Sequence, residues 1–138
     1  MNAVKITVKA EISAPIETIW DYWNGPEHIE KWNAPSDDWH CPSAENDLRS
    51  GGKFRSTMAA KDGSMSFDFE GVYDEVIHLK KIAYTMSDGR QAVVQFVQTE
   101  NLVYITITFD PEDMNPIEMQ QGGWQAILDN FKNYTEAN

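Results

Sequence analysis

The stretch from Pro116 to Tyr134 places Trp124, Ile127, Leu128, Phe131 and Tyr134 at the spacing of one helix face. No earlier segment reads as a comparably long helix, so this rod must supply the cover for whatever the rest of the chain folds into. At about 1.5 Å per residue its nineteen residues would run nearly the width of a small domain. Gly122 and Gly123 lie inside it, and each interior glycine costs about 1 kcal/mol relative to alanine. Two readings offset that cost: close approach of the helix to a strand, or space for a bound molecule beside Trp124.

What precedes the helix is mostly strand. Val4, Ile6, Val8, Ala10 and Ile12 alternate with Lys5, Thr7, Lys9 and Glu11, the period of a strand with one buried and one wet face. Pro15 then opens a short helix carrying Ile16, Ile19, Trp20 and Trp23, and Asn24-Gly25-Pro26 breaks it into a second with Ile29 and Trp32 on a common face. From Asn33 to Gly51 periodicity fades, which predicts a long loop with at most a short strand around Asn46 to Leu48 and with Trp39 tucked onto the domain. Strands follow over Lys53–Ala60, Ser66–Ile77, Ile82–Met86, Arg90–Gln98 and Leu102–Phe109, with hairpin signals at Asp62-Gly63 and Asp88-Gly89.

The expected class is therefore α+β in one domain spanning residues 1–138. A curved antiparallel sheet of six to seven strands wraps a long C-terminal helix, with two short helices after the first strand. A sheet curls and a helix is straight, so the fit leaves a gap between them. By the alternation, Phe54, Met58, Phe67, Phe69, Tyr73, Tyr84 and Phe96 face that gap from the strands, and Trp124, Leu128 and Phe131 face it from the helix. Trp32 and Trp39 would form one mouth. The competing reading is that these side chains interlock as a filled core, for which sixteen aromatics suffice.

Charge and composition narrow the partners. Eleven basic against twenty-two acidic side chains give a net charge of −11, which repels phosphate backbones and anionic lipid alike. Neither nucleic acid nor a membrane surface is expected. The first residues alternate instead of forming an apolar block, and no run approaches a membrane span, so no signal peptide is expected and the cytoplasm is the default. The lone Cys41 agrees with a reducing compartment.

Chemistry is hard to find. His28, His40 and His78 fall on a helix, a loop and a strand end, not at ligand spacing, and no metal or cofactor is expected. Ser50-Gly51-Gly52-Lys53 superficially resembles a phosphate loop but leads into a strand. No catalytic constellation emerges.

Three segments together carry a resemblance. Ala14-Pro15-Ile16-Glu17-Thr18-Ile19-Trp20 followed by Trp32, then Asp47 to Phe54 with Arg49-Ser50-Gly51-Gly52-Lys53, then Gly123-Trp124-Gln125-Ala126-Ile127-Leu128-Asp129-Asn130-Phe131 resemble the activator of heat-shock protein 90 ATPase homologue family. That family lies in the START-like, or SRPBCC, superfamily with its birch-pollen-allergen-like helix-grip fold. The resemblance implies a deep apolar cavity under the last helix and a chaperone contact. The eukaryotic activators carry an additional N-terminal domain, which this chain is expected to lack.

Three functions follow as expectations. The first is binding of a hydrophobic, ring-containing small molecule, with the twelve aromatic, Met and Leu positions above as ligand-binding residues. The second is a stand-alone chaperone-binding module. The third is a cavity enzyme of cyclase or hydrolase type, for which Tyr73, Tyr84 and His40 are the candidate polar groups. An apolar rim near Trp39 would suit a homodimer.

Overall fold

A computed structural model of the protein describes residues 5–138. The order is β1 (Ile6–Ile12), α1 (Ile16–Asn24), α2 (Pro26–Trp32), β2 (Trp39–Asn46), β3 (Lys53–Ala60), β4 (Ser66–Ile77), β5 (Lys81–Met86), β6 (Gln91–Gln98), β7 (Val103–Phe109) and α3 (Ile117–Ala137). Seven antiparallel strands form one sheet in the order β1-β7-β6-β5-β4-β3-β2. The chain thus lays down one edge first, crosses through α1 and α2 to the other edge, and returns by hairpins until β7 pairs with β1. The result is the α+β helix-grip architecture expected from the element order.

Several boundaries differ from the sequence reading. The stretch expected as a loop holds β2, whose pairing with β3 shifts register between His40 and Ser43, around Pro42. Proline has no ladder donor and is tolerated at an edge or a bulge, and the strand is sustained by its partner instead of by its own weak alternation. Leu79, at φ 66°, makes the β4–β5 turn, so β5 begins at Lys81. Val4, expected in the first strand, lies outside the described residues.

The packed part of the interior sits under β1, β7 and β6. Ile12, Ile19, Ile105, Phe109, Leu128 and Phe131 are completely buried there. Trp23 stacks on Trp32 with centroids 5.0 Å apart, and Phe131 meets both rings edge-on at 4.8 and 4.9 Å. This knot of rings fastens α1 and α2 to α3. Trp32 Nε1 also donates to the Tyr22 carbonyl at 2.9 Å, so the indole is buried with its donor satisfied.

β1 is an edge strand, yet its outer backbone is not bare. Gln125 Nε2 donates to the Lys9 carbonyl at 2.9 Å while its Oε1 accepts from the Lys9 amide at 3.3 Å. Gln121 Nε2 donates to the Thr7 carbonyl at 3.1 Å, and Lys132 Nζ to the Glu11 carbonyl. The polar flank of α3 therefore completes the ladder that a missing eighth strand would have made.

Candidate functional site

Between the far half of the sheet and α3 the packing opens into a cavity of about 140 Å³. Its floor comes from concave-face residues of β3, β4 and β5, which register aligns: Ser56 opposite Phe69, and Tyr73 opposite Tyr84. Phe54 meets Tyr84 edge-on at 4.9 Å and Tyr73 at a 40° tilt at 5.1 Å. From α3, Trp124 lies flat on Phe109 at 3.7 Å and presents its edge to Phe69 at 6.1 Å. Ile127 and Leu128 continue the helix wall, and Trp23, Ile29 and Trp32 close the end under α1 and α2.

One end of the cavity is polar and ordered by a relay. The Tyr73 hydroxyl donates to Asn46 Oδ1 at 2.5 Å, Asn46 Nδ2 donates to the Asn24 carbonyl at 2.7 Å, and Asn24 Nδ2 donates to the Trp20 carbonyl at 2.9 Å. All three residues line the cavity. The relay ties β4, β2 and the last turn of α1 together, so the polar wall is held by three elements at once.

Burial pushes the Tyr73 phenol well above its ordinary value, with the bond to Asn46 pulling weakly the other way. Burial does the same to Tyr84, reinforced by the neighbouring Tyr73 and opposed by Arg90. Both stay protonated at neutral pH and act as hydroxyls, not phenolates. Cys41 is buried, its thiol also pushed up by burial, and Sγ lies 3.4 Å from the Ser43 carbonyl. It is a core side chain, not an exposed nucleophile.

Of the residues expected at the gap, Trp32, Phe54, Phe69, Tyr73, Tyr84, Trp124 and Leu128 line this cavity. Five lie elsewhere. Phe67 shares the concave parity of Phe69 but sits past the reach of the helix, 51% exposed, with its ring 6.0 Å from that of Trp39. Trp39 is half-buried at the start of β2 and forms no part of the wall. Met58, Phe96 and Phe131 are buried in the solid core. Period-two counting fixes which face a side chain takes but not how far along the strand the cover extends.

The sequence reading missed Trp23, Asn24, Ile29, Asn33, Glu45, Asn46, Ser56, Ile82, Ile107 and Ile127. Trp23 and Ile29 were legible as apolar stripes of α1 and α2. The asparagines carried no such signal: Asn24 and Asn33 end α1 and α2, where a polar residue reads as a solvated helix terminus, and the placement of Asn46 depends on β2 existing as a strand. His40 is exposed and does not reach the cavity. Among the described residues no cluster of His, Cys, Asp and Glu could hold a metal ion, and no helix is long and apolar enough to cross a membrane.

The glycines of α3 correct one expectation. A Cβ built at Gly122 or Gly123 meets nothing within 4 Å, so close approach to a strand does not explain them. Gly122 is exposed, and neither residue lines the cavity.

Comparison with known proteins bears on the fold as a whole. The solution structure of an AHSA1-like protein from Aeromonas hydrophila superposes with a TM-score of 0.91 at 45% identity, covering 97% of this chain and 93% of that one. The solution structure of Chr148 from Cytophaga hutchinsonii gives 0.84 at 56% identity over the same shares. The Aha1 dimer from Colwellia psychrerythraea gives 0.74 at 15% identity, covering 96% of each chain, a likeness of fold. No curated protein matches the chain. Residues 13–136 match the model of the family described as Activator of Hsp90 ATPase homolog 1-like protein. With nearly the whole chain matched and the helix-grip architecture in place, the chain belongs to that family, within the START-like superfamily.

Proposed function

We propose that the protein binds a hydrophobic small molecule in the cavity between the sheet and α3. The observation that carries this reading is a void of about 140 Å³ walled by seven aromatic residues: Trp23, Trp32, Phe54, Phe69, Tyr73, Tyr84 and Trp124. Native interiors are packed with few voids larger than a water molecule, and lining atoms that lack neighbours forfeit dispersion energy. A wall this rich in large side chains, arranged around emptiness, is what a ligand site needs: apolar area with a few fixed polar groups. Intrinsic tryptophan fluorescence, titrated with single-ring aromatics, flavonoids and lipids, tests it, since three of the five tryptophans line the void. A saturable change for at least one compound, abolished by the cavity-filling Ile127→Phe, is expected. No change with any compound overturns the reading.

A second reading, contact with an Hsp90-type chaperone, is favoured by the family's description and by one surface feature. Met114, Ile117 and Met119 stand 90%, 39% and 61% exposed around the start of α3. Apolar side chains gathered in this way suit a protein partner. Co-precipitation with the chaperone, weakened by Met119→Lys, supports it; no retention sinks it.

A further inference from the structure

Resting on the ligand-binding reading, we infer that the guest is a neutral single-ring molecule bearing a hydroxyl, and that Tyr84 selects for that group. Size comes first. An apolar cavity of about 150 Å³ accommodates benzene, and the void here is about 140 Å³, so one ring matches its volume. Charge comes second. Among the residues lining the void there is no Lys, Arg or His, and the one ionisable acid is Glu45. A carboxylate guest would lose its hydration with no cation in the wall to pair with, since Arg90, which acts on Tyr84, stands outside the lining, and that loss costs more than apolar contact returns.

Polarity comes third. The Tyr84 hydroxyl makes no hydrogen bond among the described residues, and neither does the Asn24 side-chain oxygen, although Asn24 is only 9% exposed. Among the described residues the one side-chain polar atom that is both sealed and unpaired is Thr135 Oγ1, so these two atoms are not sealed off, and both belong to residues that line the cavity. Tyr73, in contrast, already spends its proton on Asn46. An empty wall thus holds one free hydroxyl and one free carbonyl oxygen. A hydroxyl on the guest, which both donates and accepts, suits either of them.

In a wholly apolar cavity a hydrocarbon outcompetes its phenol, because the phenol arrives stripped of water with nothing to bond. The present site reverses that order. NMR titration with p-cresol, toluene and 4-methylbenzoate at pH 7, on the wild-type chain and on Tyr84→Phe, reads it directly. Wild type binds p-cresol about tenfold more tightly than toluene and does not bind 4-methylbenzoate. In Tyr84→Phe the two neutral probes come to within about threefold of each other. Equal affinity for p-cresol and toluene in wild type, or 4-methylbenzoate binding as well as p-cresol, overturns the inference while leaving the cavity reading intact. Failure of all three rings to bind overturns the inference, and the cavity reading falls with it only when the flavonoids and lipids of the fluorescence panel are silent as well. Because the wild-type ratio is itself decisive, the test survives a variant that folds poorly. A p-cresol preference undiminished in Tyr84→Phe also overturns the role given to Tyr84.

Discussion

At Gly71 an added methyl would sit 2.3 Å from the Thr85 carbonyl oxygen and 2.9 Å from Phe54 Cζ, whereas at Gly122 and Gly123 it would meet nothing. The same substitution should therefore have opposite signs. Gly71→Ala forces apart β4 and β5 beneath the cavity and is expected to cost about 1–3 kcal/mol. Gly122→Ala and Gly123→Ala restrict the unfolded chain and restore helix propensity at no steric cost, each adding about 0.5–1 kcal/mol. Urea denaturation of the three variants checks all signs in one experiment. The buried phenols make a second prediction at this scale. Tyr73 and Tyr84 have folded-state pKa values raised above the unfolded value of 10.0. Protonated and buried, both favour the folded state fully below pH 10, and that contribution falls as pH rises above 10, where the unfolded chain loses protons the folded one retains. The urea midpoint should drop between pH 9 and pH 11, and drop less in Tyr84→Phe. An equal drop in the variant would remove Tyr84 from the account.

Among the elements, α3 does two jobs with two faces. Its apolar face contributes Phe131 to the solid core and Trp124, Ile127 and Leu128 to the cavity wall, and its polar flank supplies Gln121, Gln125 and Lys132 to the open edge of β1. An unpaired edge is a template for association with other chains, and here side-chain amides occupy it. Gln125→Ala removes the side-chain partner that the Lys9 amide and carbonyl have outside the β1–β7 ladder among the described residues. The expected result is faster hydrogen exchange at Lys9 and a stability loss of about 1 kcal/mol; unchanged exchange would show that water or backbone movement replaces the amide. The apolar face was legible in the sequence, because Trp124, Ile127, Leu128 and Phe131 recur at helical spacing. The edge cover was not, since glutamines on a helix read simply as solvated. β2 was lost for a related reason: Pro42 and a bulge hide the alternation, and only pairing with β3 makes the segment a strand. The site inherits the second gap: its aromatic walls were foreseen from parity, while the Asn46 that joins Tyr73 to the end of α1 is invisible until β2 is placed.

For the molecule as a whole, the sheet is wide and one helix is narrow, so cover is unequal. Near β1, where α3 lies along the edge, the interior is solid; toward β3 and β4 the same helix stands off and the cavity appears. Outside, the excess of acid is just as uneven in its consequences. The net charge is −11, and the ion pairs of the described residues, such as Arg55 with Glu45 at 2.8 Å and Arg90 with Asp88 at 2.7 Å, are largely exposed. Exposed pairs contribute about 0–1 kcal/mol each and are weakened by salt, but eleven uncompensated negative charges repel one another over the full molecular diameter. At about 10 mM salt the screening length is about 30 Å, comparable to the domain itself, and at about 150 mM it is about 8 Å. Long-range repulsion is therefore suppressed more than the short pairs are. The melting temperature should rise as NaCl is increased across that range. A fall would mean that the local pairs, Lys5 with Asp110 and Lys132 with Glu136 included, outweigh the global charge. The same field bears on ligand choice: a negatively charged surface lowers the local concentration of anions and leaves neutral molecules untouched, so the charge outside the cavity and the missing cations inside it discriminate in the same direction.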